Sequence, residues 1–179
     1  MPEVTGDPNK VNPDDLTTLT GTCLCGSIRV TINDPDLFTR RRGHLCHCAN
    51  CRKVAGSYVA ANLLIENDKV EIEDKNGTLK EFKDTETMSG TPVGRWFCST
   101  CGNPIKSVVP AYGDKVVLKM GIFPRIPAPE FETFGLHRHP WQGLHESMEQ
   151  YKLKAGGEKL ETPVARPNEQ LVEDFPHNL

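Results

Sequence analysis

The chain lacks the features that mark a membrane, secreted or nucleic-acid-binding protein. Its 179 residues contain no apolar run near the roughly 18 residues that a transmembrane helix needs. The first residues carry no basic segment followed by an apolar one, so we expect no signal peptide. A formal net charge of −3 provides no positive field for nucleic acid or anionic lipid. We therefore expect a cytoplasmic protein with no membrane contact and no nucleic-acid partner.

Apolar residues are also few, at 37% of the chain, whereas there are 15 glycines and 14 prolines. This composition predicts many turns and short elements. Short β-branched segments separated by turn residues favour a mainly β domain of short antiparallel strands with little helix. Polar, turn-forming ends predict a flexible N-terminal arm over residues 1–16 and a polar tail over 153–179, which leaves one domain over 17–152.

Several strands and turns can be assigned within that domain. Asn76-Gly77 is a strong hairpin signal and predicts that strands at 70–73 and 79–82 pair with each other. We also predict a hairpin from 17–23 and 27–32, a second one within 86–97 around Ser89-Gly90, and strands at 57–65, 105–109 and 115–123. A single short helix is predicted at 143–153.

The seven cysteines fall into three clusters with none left over. An odd number does not suit a pure disulfide framework, and a reducing cytosol favours metal ligands or catalytic thiols. Buried apolar cysteines occur singly and do not cluster in this way, and a redox C-x-x-C motif would need a βαβ context that is missing here. The pattern therefore predicts zinc bound by Cys23 and Cys25, by Cys46, Cys48 and Cys51, and by Cys98 and Cys101.

Counting ligands divides these cysteines into two sites. One C-x-C and one C-x-x-C supply four thiolates, which saturate a structural zinc; we call Cys23, Cys25, Cys98 and Cys101 the four-thiol site. Cys46, Cys48 and Cys51, the three-thiol site, leave a fourth position open, as catalytic zinc requires. His44 or His47 is an alternative fourth ligand, although His47 lies between two ligands and should point away from the metal. We expect up to two zinc ions per chain.

Basic residues bracket the three-thiol site in the sequence. Guanidinium groups bind carboxylates in a bidentate manner, so Arg52 and Lys53, and the run at 40–42, are candidates to hold a carboxylate-bearing substrate. The alternative for each is a solvated basic loop. Trp96 and Trp141 could line a pocket, but a buried core position is the favoured interpretation for both.

Three segments carry a family resemblance: residues 21–26 (GTCLCG), 44–57 (HLCHCANCRKVAGS) and 95–105 (RWFCSTCGNPI). With these flanks, the chain resembles the glutathione-dependent formaldehyde-activating enzyme family, whose domain also occurs in centromere protein V. The resemblance implies a β-tent fold and carbon–sulfur lyase chemistry, the reversible joining of glutathione to formaldehyde as S-hydroxymethylglutathione. It also implies that the four-thiol site is structural and that the three-thiol site is catalytic.

A zinc with an open position can polarise the oxygen of a thiol–aldehyde adduct, and thiolate ligands suit a sulfur-bearing substrate. Two further interpretations stay open. The first is a lyase or isomerase acting on another thiol adduct, which would fit the same residues. The second, and the rival class, is a non-catalytic zinc module that binds a protein or nucleic-acid partner.

Overall fold

The computed structural model describes residues 17–139, 141–143 and 148–161. Within these residues the protein is mainly β, as predicted. The strands are β1 (Thr18–Thr22), β2 (Ile28–Asn33), β3 (His44–Cys46), β4 (Ala60–Glu66), β5 (Val70–Asp74), β6 (Leu79–Asp84), β7 (Val93–Cys98), β8 (Pro104–Val108), β9 (Lys115–Lys119), β10 (Phe131–Thr133) and β11 (Glu149–Gln150). Ala49–Ala55 forms the helix α1, and single 3-10 turns lie at Asn67–Lys69, Pro110–Tyr112, Met120–Ile122 and Gly135–His137.

The strands form two sheets. The small sheet has the antiparallel order β1-β2-β5, and the large sheet has the order β11-β10-β3-β4-β9-β8-β7-β6. In the large sheet, each pair of neighbouring strands in the spatial order β3-β4-β9-β8-β7-β6 is antiparallel. β10 is instead parallel to both of its neighbours, β3 and β11. The expectation of antiparallel strands is therefore wrong at this edge. A long connection separates β3 from β10, and such a connection permits parallel pairing, which a short turn does not.

The hairpin predicted at Asn76-Gly77 is wrong, although the chain does turn there. β5 pairs with β2 in the small sheet, whereas β6 pairs with β7 in the large one. The Asp74 carboxylate accepts hydrogen bonds from the backbone N–H groups of Thr78 and Leu79, both at 2.9 Å. A side chain therefore closes this turn in place of a strand ladder, and the chain crosses there from one sheet to the other.

Two other predicted elements differ from the structure. The hairpin around Ser89-Gly90 is present, but its first strand is β6, so it begins before residue 86. The helix predicted at 143–153 is wrong where the chain forms β11, and residues 144–147 of that prediction lie outside the described residues. Leu160 N donates to Gln150 O at 2.8 Å, so the segment after β11 folds back on it.

One apolar core lies between the two sheets. Ile28, Val30 and Ile32 project from alternate positions of β2 and are fully buried against residues of the large sheet such as Leu63 and Leu118. Each buried aliphatic side chain of this size contributes about 1.5–3 kcal/mol. Because side chains alternate along a strand, the neighbours of Leu63 and Leu118 project from the other face of the large sheet, where the three-thiol site lies.

Candidate functional site

The structure brings the four cysteines of the four-thiol site together. Their Sγ atoms all lie within 4.8 Å of one another. Cys25 Sγ is 3.5 Å from Cys23 Sγ and 3.6 Å from Cys98 Sγ. Zinc–sulfur bonds of about 2.3 Å place neighbouring sulfurs of a tetrahedron about 3.8 Å apart. The donor set and its spacing therefore fit a closed zinc site.

Two glycine turns shape the four-thiol site. Gly26 follows Cys25 with φ 75°, and Gly102 follows Cys101 with φ 76°, a region that side-chain-bearing residues rarely adopt. The Asn103 side chain joins the two turns, since its Oδ1 accepts a hydrogen bond from Leu24 N at 2.8 Å. Sequence reasoning missed Asn103, whose partner lies 79 residues away.

The thiols of this site differ in acid strength. Burial raises the pKa of Cys23 to about 11. Hydrogen bonding with Ser27 lowers the pKa of the exposed Cys25 to about 6. Cys23 follows β1 of the small sheet, and Cys98 ends β7 of the large sheet. The site therefore joins the two sheets at one end of the core.

The three-thiol site is built around the start of α1. Cys46 is buried at the end of β3, Cys48 is the N-cap of α1, and Cys51 lies in its first turn. Cys48 Sγ accepts a hydrogen bond from Cys51 N at 3.4 Å, so one sulfur both caps the helix and faces the cluster. The three Sγ atoms lie within 4.8 Å of one another. Three soft donors at this spacing fit a zinc ion.

Neither neighbouring histidine joins the three thiols. Among the described residues, the three-thiol site contains no histidine, aspartate or glutamate ligand. The fully buried His47 places Nε2 3.3 Å from Glu132 Oε1, and His44 stacks on Phe131 with ring centroids 5.2 Å apart. Burial lowers the pKa of His44 to about 4.

Two positive side chains, Lys119 and Arg95, lie near the three-thiol site. Hydrogen bonds from Cys46 and Cys48 lower the pKa of Cys51, and the charges of Lys119 and Arg95 lower it further. The pKa of Cys46 is raised in turn by its hydrogen bonds to Cys48 and Cys51 and by burial. The thiol of Cys51 therefore lies near two cations, Lys119 and Arg95, which favour its deprotonated form.

Arg95 connects α1 to the large sheet, a role that sequence reasoning missed. Its Nε and Nη2 atoms donate to Asp84 Oδ2 at 3.1 and 2.8 Å, and Nη1 lies 4.0 Å from Cys51 Sγ. Asn50 of α1 donates to the same Asp84 carboxylate at 3.0 Å. No local signal could have identified this network, because its members lie on three separate elements.

A second missed group is a polar row across three adjacent strands. His44 of β3 lies opposite Asn62 of β4, and Asn62 lies opposite Lys119 of β9. Lys119 Nζ donates to Asn62 Oδ1 at 2.8 Å, although Lys119 is only 5% exposed. Burial lowers the pKa of Lys119, and the negative charge of Cys51 opposes that effect. One sequence signal was available, a lysine at the end of the apolar segment KVVLK.

The basic residues predicted to hold substrate carboxylates lie in different surroundings. Arg52 is half-buried, and its Nη1 donates to His139 Nε2 at 2.6 Å, whereas Lys53 is exposed. Arg42 is buried in an ion pair with Asp34, at 2.7 Å, so it is a structural residue and does not belong to a solvated loop. Arg41 donates to Pro129 O at 3.0 Å.

The two tryptophans do not share one environment. Trp96 is half-buried beneath Lys106, whose Nζ lies 5.4 Å from the ring centroid. The core position favoured for Trp141 is wrong, since 51% of the residue is exposed. Trp141 stacks on His139, with centroids 5.7 Å apart, and therefore extends the Arg52 contact to the protein surface.

The fold and these sites define a mainly β protein with one closed and one open thiol cluster, each suited to a soft metal ion. A profile of the family described as glutathione-dependent formaldehyde-activating enzyme matches residues 18–136. The chain belongs to this family.

The comparisons with solved structures and with curated proteins are less informative than the family match. A crystal structure of a Rhodobacter sphaeroides protein is 22% identical, over 57% of this chain and 85% of that one, with a TM-score of 0.39. No curated protein matches the chain. In the part of the chain that the structure describes, no helix has the length and apolar character to cross a membrane.

Proposed function

We propose that the protein is a zinc-dependent carbon–sulfur lyase that acts on a thiol–aldehyde adduct, with S-hydroxymethylglutathione as the model substrate. The single observation that carries the proposal is the three-thiol site, where three sulfurs converge and no fourth protein ligand joins them in the described residues. Membership of the glutathione-dependent family supports a thiol substrate.

The four-thiol site has a structural role in this proposal. Its cysteines would hold one zinc ion, in a position that links the small sheet to the end of β7. A saturated site leaves no position for a substrate. Binding of the ion would instead be coupled to folding.

The three-thiol site has the catalytic role. Cys46, Cys48 and Cys51 would hold a zinc ion, which would supply a Lewis acid for a sulfur or oxygen atom of the substrate. Arg52 and Lys53 project from α1, directly after Cys51, and would hold the substrate carboxylates. The protein thereby fixes the adduct's position relative to the cluster, and such orientation is itself a large part of catalysis.

The reaction conserves every atom. In the cleavage direction the adduct hydroxyl gives its proton to water, the carbonyl bond forms, and the carbon–sulfur bond breaks with its electron pair left on sulfur. In the joining direction the thiolate attacks the carbonyl carbon, and the resulting alkoxide takes a proton from water. The cations near Cys51 favour the anionic sulfur and oxygen atoms that appear along this path.

We also propose that residues 17–152 carry this function in the cytoplasm, with 1–16 as an arm. Of the tail predicted over 153–179, the part up to Leu160 folds back on β11, since Leu160 N donates to Gln150 O. Calorimetry with glutathione, followed by turnover of S-hydroxymethylglutathione, tests the central proposal on zinc-loaded protein. Binding together with turnover is expected. Binding without turnover would indicate a lyase for a different conjugate. Absence of binding by any small thiol would favour the non-catalytic zinc module.

A further inference from the structure

Lys119 occupies an unusual position for a charged residue. It ends β9 in the middle of the large sheet and is 5% exposed. The register places it directly opposite Asn62, on the face that also carries His44. Leu63 and Leu118 pair on the opposite face and belong to the core. Lys119 therefore faces the side of the sheet against which α1 packs.

The hydrogen bonding of this ammonium group is incomplete. A lysine ammonium has three N–H donors, and among the described residues Asn62 Oδ1 is its one hydrogen-bond acceptor. It forms no ion pair with a carboxylate in the same part of the chain. A buried charge with unfilled donors is costly unless a partner arrives. The residue is thus suited to a negatively charged or strongly polar ligand atom.

The three-thiol site lies next to Lys119 but accepts no hydrogen bond from its ammonium group. The charges of Cys51, Cys46 and Cys48 all act on the ammonium group. No cysteine sulfur among the described residues is hydrogen-bonded to Nζ. An oxygen atom carried by a ligand whose sulfur reaches the three-thiol site would meet the unfilled donors.

We propose that Lys119 is a catalytic residue that donates a hydrogen bond to the oxygen on the carbon attached to the adduct's sulfur. The inference rests on the proposed function. It deepens that function by specifying the substrate class as adducts that carry an oxygen at this carbon, such as hemithioacetals and thioesters. In the joining direction the carbonyl π pair moves to this oxygen as the carbon–sulfur bond forms, and the ammonium stabilises the alkoxide until water protonates it.

Two glutathione conjugates that differ at this carbon provide the test. S-formylglutathione carries the oxygen, and S-methylglutathione lacks it. Calorimetry measures both dissociation constants for the wild-type protein, Lys119→Met, Lys119→Gln and the control Lys115→Met. Lys115 lies on the same strand, is partly exposed and pairs with Glu66 at 3.1 Å. The ratio of the two constants within one variant cancels any general loss of binding. Zinc content and melting temperature are recorded for each protein.

A hydrogen bond to a charged donor corresponds to a preference of roughly 10- to 100-fold for the oxygen-bearing conjugate. We expect this preference in the wild type and in Lys115→Met, and its loss in Lys119→Met. We also expect kcat for adduct cleavage to fall by about 10²- to 10³-fold in Lys119→Met at unchanged zinc content. Lys119→Gln keeps a neutral hydrogen-bond donor, so its preference and its kcat should lie between those of the wild type and those of Lys119→Met.

Four outcomes would overturn the inference. A wild-type ratio near one would exclude the proposed role of Lys119, and so would a ratio that survives in both Lys119 variants. Neither result would contradict the lyase proposal. Loss of zinc in step with loss of preference would assign Lys119 a structural role. Binding of neither conjugate by the wild type would remove the proposed function, and the inference with it.

Discussion

Arg95 Nη1 lies 4.0 Å from Cys51 Sγ, while the rest of the guanidinium group is held by Asp84. Asp84 is buried, and only 12% of the Arg95 side chain is exposed. The pair therefore places a positive charge beside Cys51 Sγ, where it favours the thiolate form of that cysteine. Asn50 ties the same carboxylate to α1, so one network fixes both the charge and the helix.

We predict that Arg95→Leu weakens both the fold and the three-thiol site. Asp84 would be left as a buried carboxylate without its cation, which costs about 3–5 kcal/mol. Zinc in the three-thiol site should bind less tightly, because its thiolates lose a neighbouring cation. Urea unfolding and zinc content measure the two effects. Arg29→Leu, an exposed arginine on the small sheet, is the control and should change neither.

The two thiol sites should respond differently to loss of one cysteine. Cys98→Ala opens the proposed structural site, where metal binding would be coupled to folding, so we expect a fall in melting temperature of about 10 °C or more. Cys48→Ala should abolish activity. It should lower the melting temperature by only a few degrees, because it removes the N-cap of α1 at a cost of about 1 kcal/mol. Equal losses would contradict the division into structural and catalytic sites.

Zinc content provides a separate test of the same division. We expect up to two zinc ions per chain in reduced protein, one for each cluster of sulfurs. Elemental analysis of the wild type and of the two cysteine variants should show one ion fewer in each variant. Protein prepared under reducing conditions without any zinc would contradict both sites.

The three-thiol site could be predicted from sequence because its cysteines lie at short local spacings, whereas the four-thiol site required counting the ligands of two distant motifs. Cys46, Cys48 and Cys51 belong to one segment of six residues, so one turn brings them together. The row from His44 through Asn62 to Lys119 could not be predicted in this way. It depends on β4 lying between β3 and β9, and strand order over such distances has no local signature.

The same limit explains the errors in the fold. Asn76-Gly77 turns the chain whether the flanking strands pair with each other or enter different sheets, and only the pairing of β2 with β5 decides between the two. Apolar area alone favours a core position for Trp141. In the structure Trp141 is exposed and stacks on His139, a contact that no periodicity reveals.

The buried pair of Asp34 and Arg42 should make stability depend on pH. Burial raises the pKa of Asp34, but the hydrogen bond from Arg42 and further positive contacts lower it more, so the net pKa lies below the ordinary 3.8. The pair's contribution is therefore complete above about pH 4 and is lost as pH falls through the lowered pKa. Asp34→Asn should cost about 3–5 kcal/mol at pH 7, because Arg42 stays buried without its partner.

Urea unfolding of the wild type and Asp34→Asn at a series of pH values measures this effect. Acid also protonates the thiolates of the two proposed zinc sites, so the informative quantity is the difference between the two proteins at each pH. That difference should shrink below pH 3.8. Glu149→Gln, which breaks an exposed pair with Lys159, should change stability little at any pH. A constant difference across the whole series would contradict the assignment.

Charge reversal on α1 tests how the proposed substrate is held. Arg52 is fixed by His139, so its guanidinium is ordered before any ligand binds, whereas Lys53 is exposed. An ordered donor loses less entropy on binding a carboxylate. We therefore expect Arg52→Glu to weaken glutathione binding by about 10-fold or more, consistent with a charged hydrogen bond, and Lys53→Glu to weaken it less.

Raising the salt concentration should weaken wild-type binding as well, because exposed charges are screened. Calorimetry at two salt concentrations measures both effects, with Arg29→Glu as the control for net charge. Zinc content should stay unchanged in all three variants, since none of these residues is a thiol ligand. If Arg52→Glu and Arg29→Glu weaken binding equally, the effect comes from overall charge, and Arg52 does not contact the substrate.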